Sequence, residues 1–182
     1  MQVAIVEIKA HCPEPGATSA RMLELGATHQ GRDHQVDTYF AVPHGRLKLR
    51  QGGIETNLIH YRRDDHAGPK ESQVLLHSPS DAPSLRAALS AALDVRVVVD
   101  KQRDIFWAGN VKLHLDDVAG LGTFVEIEAI DRDGSHSRAE LHDRCRQWLN
   151  DLGIEPSLLV THSYSDLLLA RNEMRAGDAG DP

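Results

Sequence analysis

Arg46-Leu47-Lys48-Leu49-Arg50 puts three cations on one side of an extended segment and two leucines on the other. Side chains alternate across a strand, so the stretch has one charged face and one apolar face. The fold turns on which of the two looks inward.

The pattern recurs in both directions along the chain. In Gln2–Ala10, Ala4, Val6, Ile8 and Ala10 share one face, and Glu7 and Lys9 share the other. His60 and Arg62 share parity, as do Lys101 and Arg103, and Lys112, His114 and Asp116. In Phe124–Ala129, Glu126 and Glu128 alternate with apolar neighbours. A single such strand reads most simply as half-buried with its charges in water. Recurrence over many strands, beside helices that need an apolar surface to pack on, favours the opposite reading: leucines outward under helices, charges lining a closed interior.

The remaining elements fit that reading. Strands are expected at Gln2–Ala10, Thr28–Ala41, Arg46–Gln51, Thr56–Arg63, Glu71–His77, Val95–Phe106, Asn110–Val118 and Thr123–Ile130. Turns are read at residues 43–45, 52–53 and 67–69. Helices are expected at Glu14–Leu25, Pro83–Leu93, Ser135–Leu152 and Pro156–Ala170; Leu141, Cys145, Trp148, Leu149 and Leu152 form one stripe. Eight strands without βαβ alternation predict an α+β protein built on an eight-stranded antiparallel β-barrel with flanking helices. Residues 1–170 form one domain, and the polar residues 171–182 read as a disordered tail.

Composition narrows the class. The chain has 182 residues, 41% hydrophobic, with a net charge of −7. That balance speaks against a nucleic-acid or membrane-surface binder, though not against a hidden basic pocket. Cys12 and Cys145 lack metal-ligand spacing and read as free thiols. With no signal-peptide pattern and no apolar run of membrane-spanning length, the expected location is cytoplasmic.

The charged faces together hold Lys9, Arg46, Lys48, Arg50, Arg62, Lys101, Arg103 and Lys112, against Glu7, Asp116, Glu126 and Glu128. An interior surplus of cations calls for an anionic ligand, since unpaired buried charge is prohibitively costly. Arg and Lys suit phosphate oxygens, and the carboxylates suit a hard divalent cation, Mg²⁺ or Mn²⁺. The expected ligand is a metal-bound triphosphate.

Several stretches, in order, resemble the CYTH superfamily of triphosphate tunnel metalloenzymes, most closely its class IV adenylate cyclase-like branch. They are VEIKA near the start, DTYF at 37–40, LKLR at 47–50, YRRDD at 61–65, VDKQRDIFW at 99–107, KLHLDDVAGLGTFVEIE at 112–128 and SYSDLL at 163–168. The resemblance implies that Glu7, Glu126 and Glu128 bind metal. It implies that Lys9, Arg50, Arg62, Lys101 and Arg103 bind the triphosphate, with Lys48 and Lys112 as further tunnel cations; strand parity adds Arg46 to the triphosphate-binding set. Glu7, Lys9 and Asp116 are the expected catalytic group, and a homodimer is implied as well. The family's opening motif, Glu-x-Glu-x-Lys, here begins with Ile5, so one metal-site carboxylate is replaced by an aliphatic side chain.

Three functions follow as expectations. A class IV cyclase would attack the α-phosphorus of ATP with the ribose 3′-oxygen, giving cyclic AMP and pyrophosphate. A triphosphatase would release phosphate by attack of water. A non-catalytic nucleotide or polyphosphate binder would reflect the loss at Ile5. A barrel carrying an apolar ligand needs the opposite parity. His60 and His114 are candidate tunnel residues, His11-Cys12 lacks zinc-site partners, Gly120–Gly122 is a turn and not a phosphate loop, and Tyr164 and Leu167–Leu169 are read as helix packing.

Overall fold

The computed structural model describes residues 2–63 and 69–178. Eight strands close into one antiparallel barrel in the order β1-β5-β4-β3-β2-β6-β7-β8. They are β1 (Gln2–His11), β2 (Thr28–Phe40), β3 (Arg46–Gln51), β4 (Asn57–Arg63), β5 (Lys70–His77), β6 (Val95–Ala108), β7 (Val111–Val118) and β8 (Gly122–Asp131). The helices are α1 (Pro15–Glu24), α2 (Ala82–Ala92), α3 (Arg138–Asp151) and α4 (Tyr164–Asp178). The expected fold class holds. The turn read at residues 67–69 and the end of the 61–65 motif fall largely outside the described residues. No described helix is long and apolar enough to cross a membrane.

The outward apolar face is real where helices cover it. Val6 and Ile8 of β1, Leu113 and Leu115 of β7, and Val125 and Ile127 of β8 form one core with Met22 of α1 and Leu141 and Cys145 of α3. The α3 stripe packs as its spacing predicts, and Ser137 with Glu140 forms a capping box at its start. Both cysteines are free and buried. Burial pushes the Cys145 thiol up to about 12, so it stays protonated.

On β4 and β5 the polarity is reversed. The helices pack mainly on β1, β2, β3, β6 and β8. α3 reaches β5 through Arg138 and His142 at Glu71, so Leu75 is left half exposed on the outer face, while Ile59, Tyr61 and Val74 turn inward and join Val3 and Ile130 in a separate apolar cluster. His60 and Arg62 therefore face outward, contrary to their expected parity. His60 Nε2 lies 3.0 Å from the His44 carbonyl oxygen.

The last helix also differs from expectation. Only Pro156–Leu158 forms a short 3-10 turn; the chain then runs extended, with Leu159 bridged to Ala10 and Val160 N–H donating to the Lys9 carbonyl. α4 starts at Tyr164 because Ser163 and Asp166 make a reciprocal cap: Asp166 N–H donates to Ser163 Oγ, and Ser163 N–H to Asp166 Oδ2. It continues to Asp178, well into the stretch read as a tail.

Candidate functional site

The barrel encloses a cavity of about 330 Å³, lined by Lys9, Lys48, Arg50, Lys101, Arg103 and Lys112 together with Glu7, Asp37, Glu55, Glu126 and Glu128. The charges enter because β1, β3, β6, β7 and β8 place their charged parity inward, each strand alternating against its helix-packed apolar face. Lys48 and Arg103 are far from bulk solvent, with side chains 13% and 2% exposed. That arrangement rules out an interior that is apolar throughout.

One group centres on Asp37 of β2. Its carboxylate accepts from Lys48 Nζ, Arg50 Nε and Lys101 Nζ, each at 2.9 Å. Burial opposes ionisation of Asp37, but Arg50, Lys101 and Lys48 outweigh it and hold the carboxyl well below its usual range. A single carboxylate cannot satisfy three cations equally. Burial, with repulsion from Arg50, Arg103 and Lys48 and despite Asp37, brings the Lys101 ammonium down to about 7.

A second group centres on Arg103. Its Nε donates to Asp116 Oδ1 at 2.6 Å, and its Nη2 donates to both Asp116 and Glu126. Lys9 Nζ lies 3.0 Å from Glu126 Oε1 and 3.8 Å from the Tyr164 ring centroid, and the Tyr164 hydroxyl donates to Asp116 at 2.7 Å. The start of α4 thus lines this part of the tunnel. Tyr164 lines the cavity as well as packing on the barrel, a dual role its sequence context did not reveal.

A third group comes from the β3–β4 loop. The backbone N–H groups of Gly53, Ile54 and Glu55 all donate to the Asp33 carboxylate, at 2.7, 3.0 and 3.1 Å. Gly52 allows this fold-back, because a Cβ there would come within 2.5 Å of Asp33 Oδ2. The loop carries the Glu55 carboxylate into the tunnel, where it accepts from Arg50 Nη1 at 3.2 Å and from Lys112. Burial opposes its charge, yet Arg50 and Lys112 hold Glu55 well below the ordinary carboxylate range.

Glu7, Glu126 and Glu128 come together on adjacent strands: Glu7 and Glu128 are register partners, and Lys9 is opposite Glu126. Burial first, then Glu126 and Glu7 against the pull of Lys112, push the Glu128 carboxyl up to about 7. His114 of β7 lies beside them, Nδ1 3.5 Å from Glu126 Oε2 and 3.7 Å from Glu128 Oε1, and neither ring nitrogen has a hydrogen-bond partner. Burial, then Arg103 and Lys112, push the imidazole down to about 3, so it is neutral and keeps a lone pair to donate. Donor atoms of His114, Glu126 and Glu128 all lie within 4.8 Å of one another, a spacing that one cation can bridge. The buried, partnerless imidazole and the crowded carboxylates both fit a divalent ion.

Two expected cations lie elsewhere. Arg46 sits at the tunnel's rim, its Nη2 2.9 Å from Asp166 Oδ2, and it tethers α4. Arg62 is exposed and lines an outer groove that meets the tunnel near Ile5 and Ser72. Conversely, Asp37 and Glu55 were not among the expected site residues. The surplus of interior cations is therefore smaller than expected: seven lining cations, Arg132 included, face five lining carboxylates, with Asp116 behind them. The fold offsets most of the cavity's positive charge itself, as buried charge requires.

The CYTH domain family model matches residues 5–164. A comparison with curated protein sequences gives no match. Among solved structures, the PH1012 protein of Pyrococcus horikoshii OT3 superposes with a TM-score of 0.78 at 22% identity, covering 90% of this chain and 98% of that one. Two further structures are each described as a putative adenylate (adenylyl) cyclase. The one from Vibrio parahaemolyticus has a TM-score of 0.74 and 18% identity, covering 90% of this chain and 97% of its own. The one from Hippeastrum, described as having a dominant triphosphatase activity, has a TM-score of 0.57 and 15% identity, covering 95% and 96%. At these identities the likeness shows the shared fold, and the family match carries the assignment: the chain belongs to the CYTH domain family.

Proposed function

We propose that the tunnel binds a metal-complexed triphosphate and cleaves it by attack of water on phosphorus. The observation that carries this reading is the convergence of Lys9, Lys48, Arg50, Lys101, Arg103 and Lys112 on one cavity that also holds a three-donor cation site. Arg50 and Arg103 offer forked donors for phosphate oxygens, and the lysines supply point charges. Asp116 fixes the Arg103 guanidinium and Tyr164, so it positions the grip. Lys9, between Glu126 and Tyr164, links the cation site to the start of α4.

Glu126, Glu128 and His114, with Glu7 alongside, would hold the cation. Bound there, it offsets phosphate charge and lowers the pKa of a water. An imidazole among the donors suits Mn²⁺ better than Mg²⁺, which keeps to oxygen.

Cyclisation of ATP is the second reading, favoured by the likeness of HLDDVAGLGTFVEIE to the cyclase branch. Hydrolysis is preferred because the cavity wall beside the carboxylates is mainly aliphatic, formed by Ile5 and Ile130 with Ser72 and Arg132 as its polar groups. The test incubates the protein with tripolyphosphate and with ATP in Mn²⁺ and resolves the products. Phosphate release supports the hydrolytic reading. Cyclic AMP with pyrophosphate replaces it with the cyclase, and binding without turnover replaces it with a sensor.

A further inference from the structure

The tunnel has two chemically different walls. Strands β3, β6 and β7, with Lys9 at the far end of β1, carry the phosphate-binding cations, while β4, β5, the start of β1 and the end of β8 carry Ile59, Val74, Leu76, Val3, Ile5 and Ile130 into the same cavity. The apolar residues are continuous through the strand register. Val3 pairs with Val74, Ile59 with Leu76, Tyr61 with Val74, and Ile5 with Ile130.

Two features tie this wall to the charged one. Ile5 and Ile130 each stand two residues from a cation-site carboxylate, Glu7 and Glu128, on the same strand face. That offset is roughly 7 Å along a strand, so one extended molecule reaches from the metal to the aliphatic patch. The polar groups beside the patch are few: Ser72, whose buried Oγ has no hydrogen-bond partner, and Arg132, two residues beyond Ile130. The rim residues Asn57 and Ser78 are bonded to each other, Ser78 Oγ donating to Asn57 Oδ1 at 2.8 Å. An aliphatic wall open to a cavity leaves apolar surface wet unless a ligand covers it.

We infer that the substrate is an oligophosphate monoester of a short aliphatic alcohol, its phosphates on the charged wall and its hydrocarbon on Ile5, Leu76, Ile130 and their neighbours. The inference rests on the triphosphate reading of the charged wall and adds the class of the organic group. At about 330 Å³ the cavity is near the lower end of ligand sites, which run roughly 300–1,000 Å³, so the hydrocarbon is short. Ile5, standing where the family motif has a carboxylate, then serves as part of the hydrocarbon wall.

The test titrates three uncleavable, methylene-bridged probes into the protein with Mn²⁺ by calorimetry: tripolyphosphate, n-hexyl triphosphate and ATP. Each buried CH₂ is worth roughly a fourfold gain, so n-hexyl triphosphate is expected to bind at least about tenfold tighter than tripolyphosphate, and tighter than ATP. Ile5→Asn and Leu76→Asn should each cut the ratio of hexyl to tripolyphosphate affinity severalfold. Tripolyphosphate binding as tightly as the hexyl ester, or ATP binding tightest, overturns the inference and leaves the triphosphate reading standing. Failure of all three to bind overturns both.

Discussion

Lys101 Nζ lies 2.9 Å from Asp37 Oδ2, and the two side chains are 1% and 2% exposed. Neither is at the surface, and Asp37 also holds Lys48 and Arg50. A protein without this carboxylate would face three buried cations with little to offset them. In the proposed reading, Asp37 occupies the place of the ligand's anionic charge.

Asp37→Asn should accordingly destabilise the fold by about 3–5 kcal/mol, the cost of breaking a buried ion group by removing one partner. Thermal unfolding would show it. Tripolyphosphate should restore more stability to this variant than to the wild type, because it supplies the missing charge. Equal stabilisation of both would mean that the phosphates do not reach these cations.

Lys101 gives a pH signature. Its folded value of about 7 is below the ordinary lysine value of 10.5, so near pH 8 it is largely neutral in the free protein. A bound polyanion favours the ammonium and raises that value, so binding takes up a proton and weakens as pH climbs from about 7 towards 10. The same depression means that the unfolded chain binds more protons over this range, so this group's contribution to stability rises with pH. Calorimetry in buffers of different ionisation enthalpy should show the uptake in wild type and its loss in Lys101→Met. Equal uptake in both proteins would exclude Lys101.

Glu55 competes with the ligand for Arg50 and Lys112. Glu55→Gln removes the competing charge while preserving size, and should tighten tripolyphosphate binding by roughly tenfold, the factor that accompanies 1.4 kcal/mol. Weaker binding would instead assign Glu55 to the ligand's own contacts, through a metal.

His114→Leu tests the cation site. Loss of a nitrogen donor should weaken Mn²⁺ binding at least about tenfold, read directly by electron paramagnetic resonance of the bound ion. Nitrogen modulation in the wild-type spectrum should vanish in the variant. A wild-type spectrum with oxygen coupling alone would remove His114 from the ligand set.

Much of this was legible in strand parity. The barrel, the helix-covered apolar face and the inward placement of Glu7, Lys9, Lys48, Arg50, Lys101, Arg103, Lys112, Glu126 and Glu128 all follow from period-two alternation. The parity rule failed on β4, because the inference that apolar residues face outward holds only beneath a helix. Without that cover, Arg62 turns to solvent and Ile59 and Tyr61 turn in. Arg46 shares parity with Lys48 but lies at a strand end, where Asp166 of α4 captures it. Glu55 was illegible because a loop carries it, and its inward path depends on the distant Asp33. His114 was recognisable as a tunnel candidate, but its closeness to Glu126 and Glu128 depends on the β7–β8 register.

Whether the charged wall holds a triphosphate is decided by calorimetric titration of uncleavable tripolyphosphate with Mn²⁺ into wild type, Arg50→Met and Arg62→Gln. A triphosphate site gives saturable one-to-one binding that weakens at least about tenfold in Arg50→Met, consistent with loss of a charged hydrogen-bond donor, and changes less than about twofold in Arg62→Gln, a surface change. Absence of binding, or equal loss in the two variants, would contradict it.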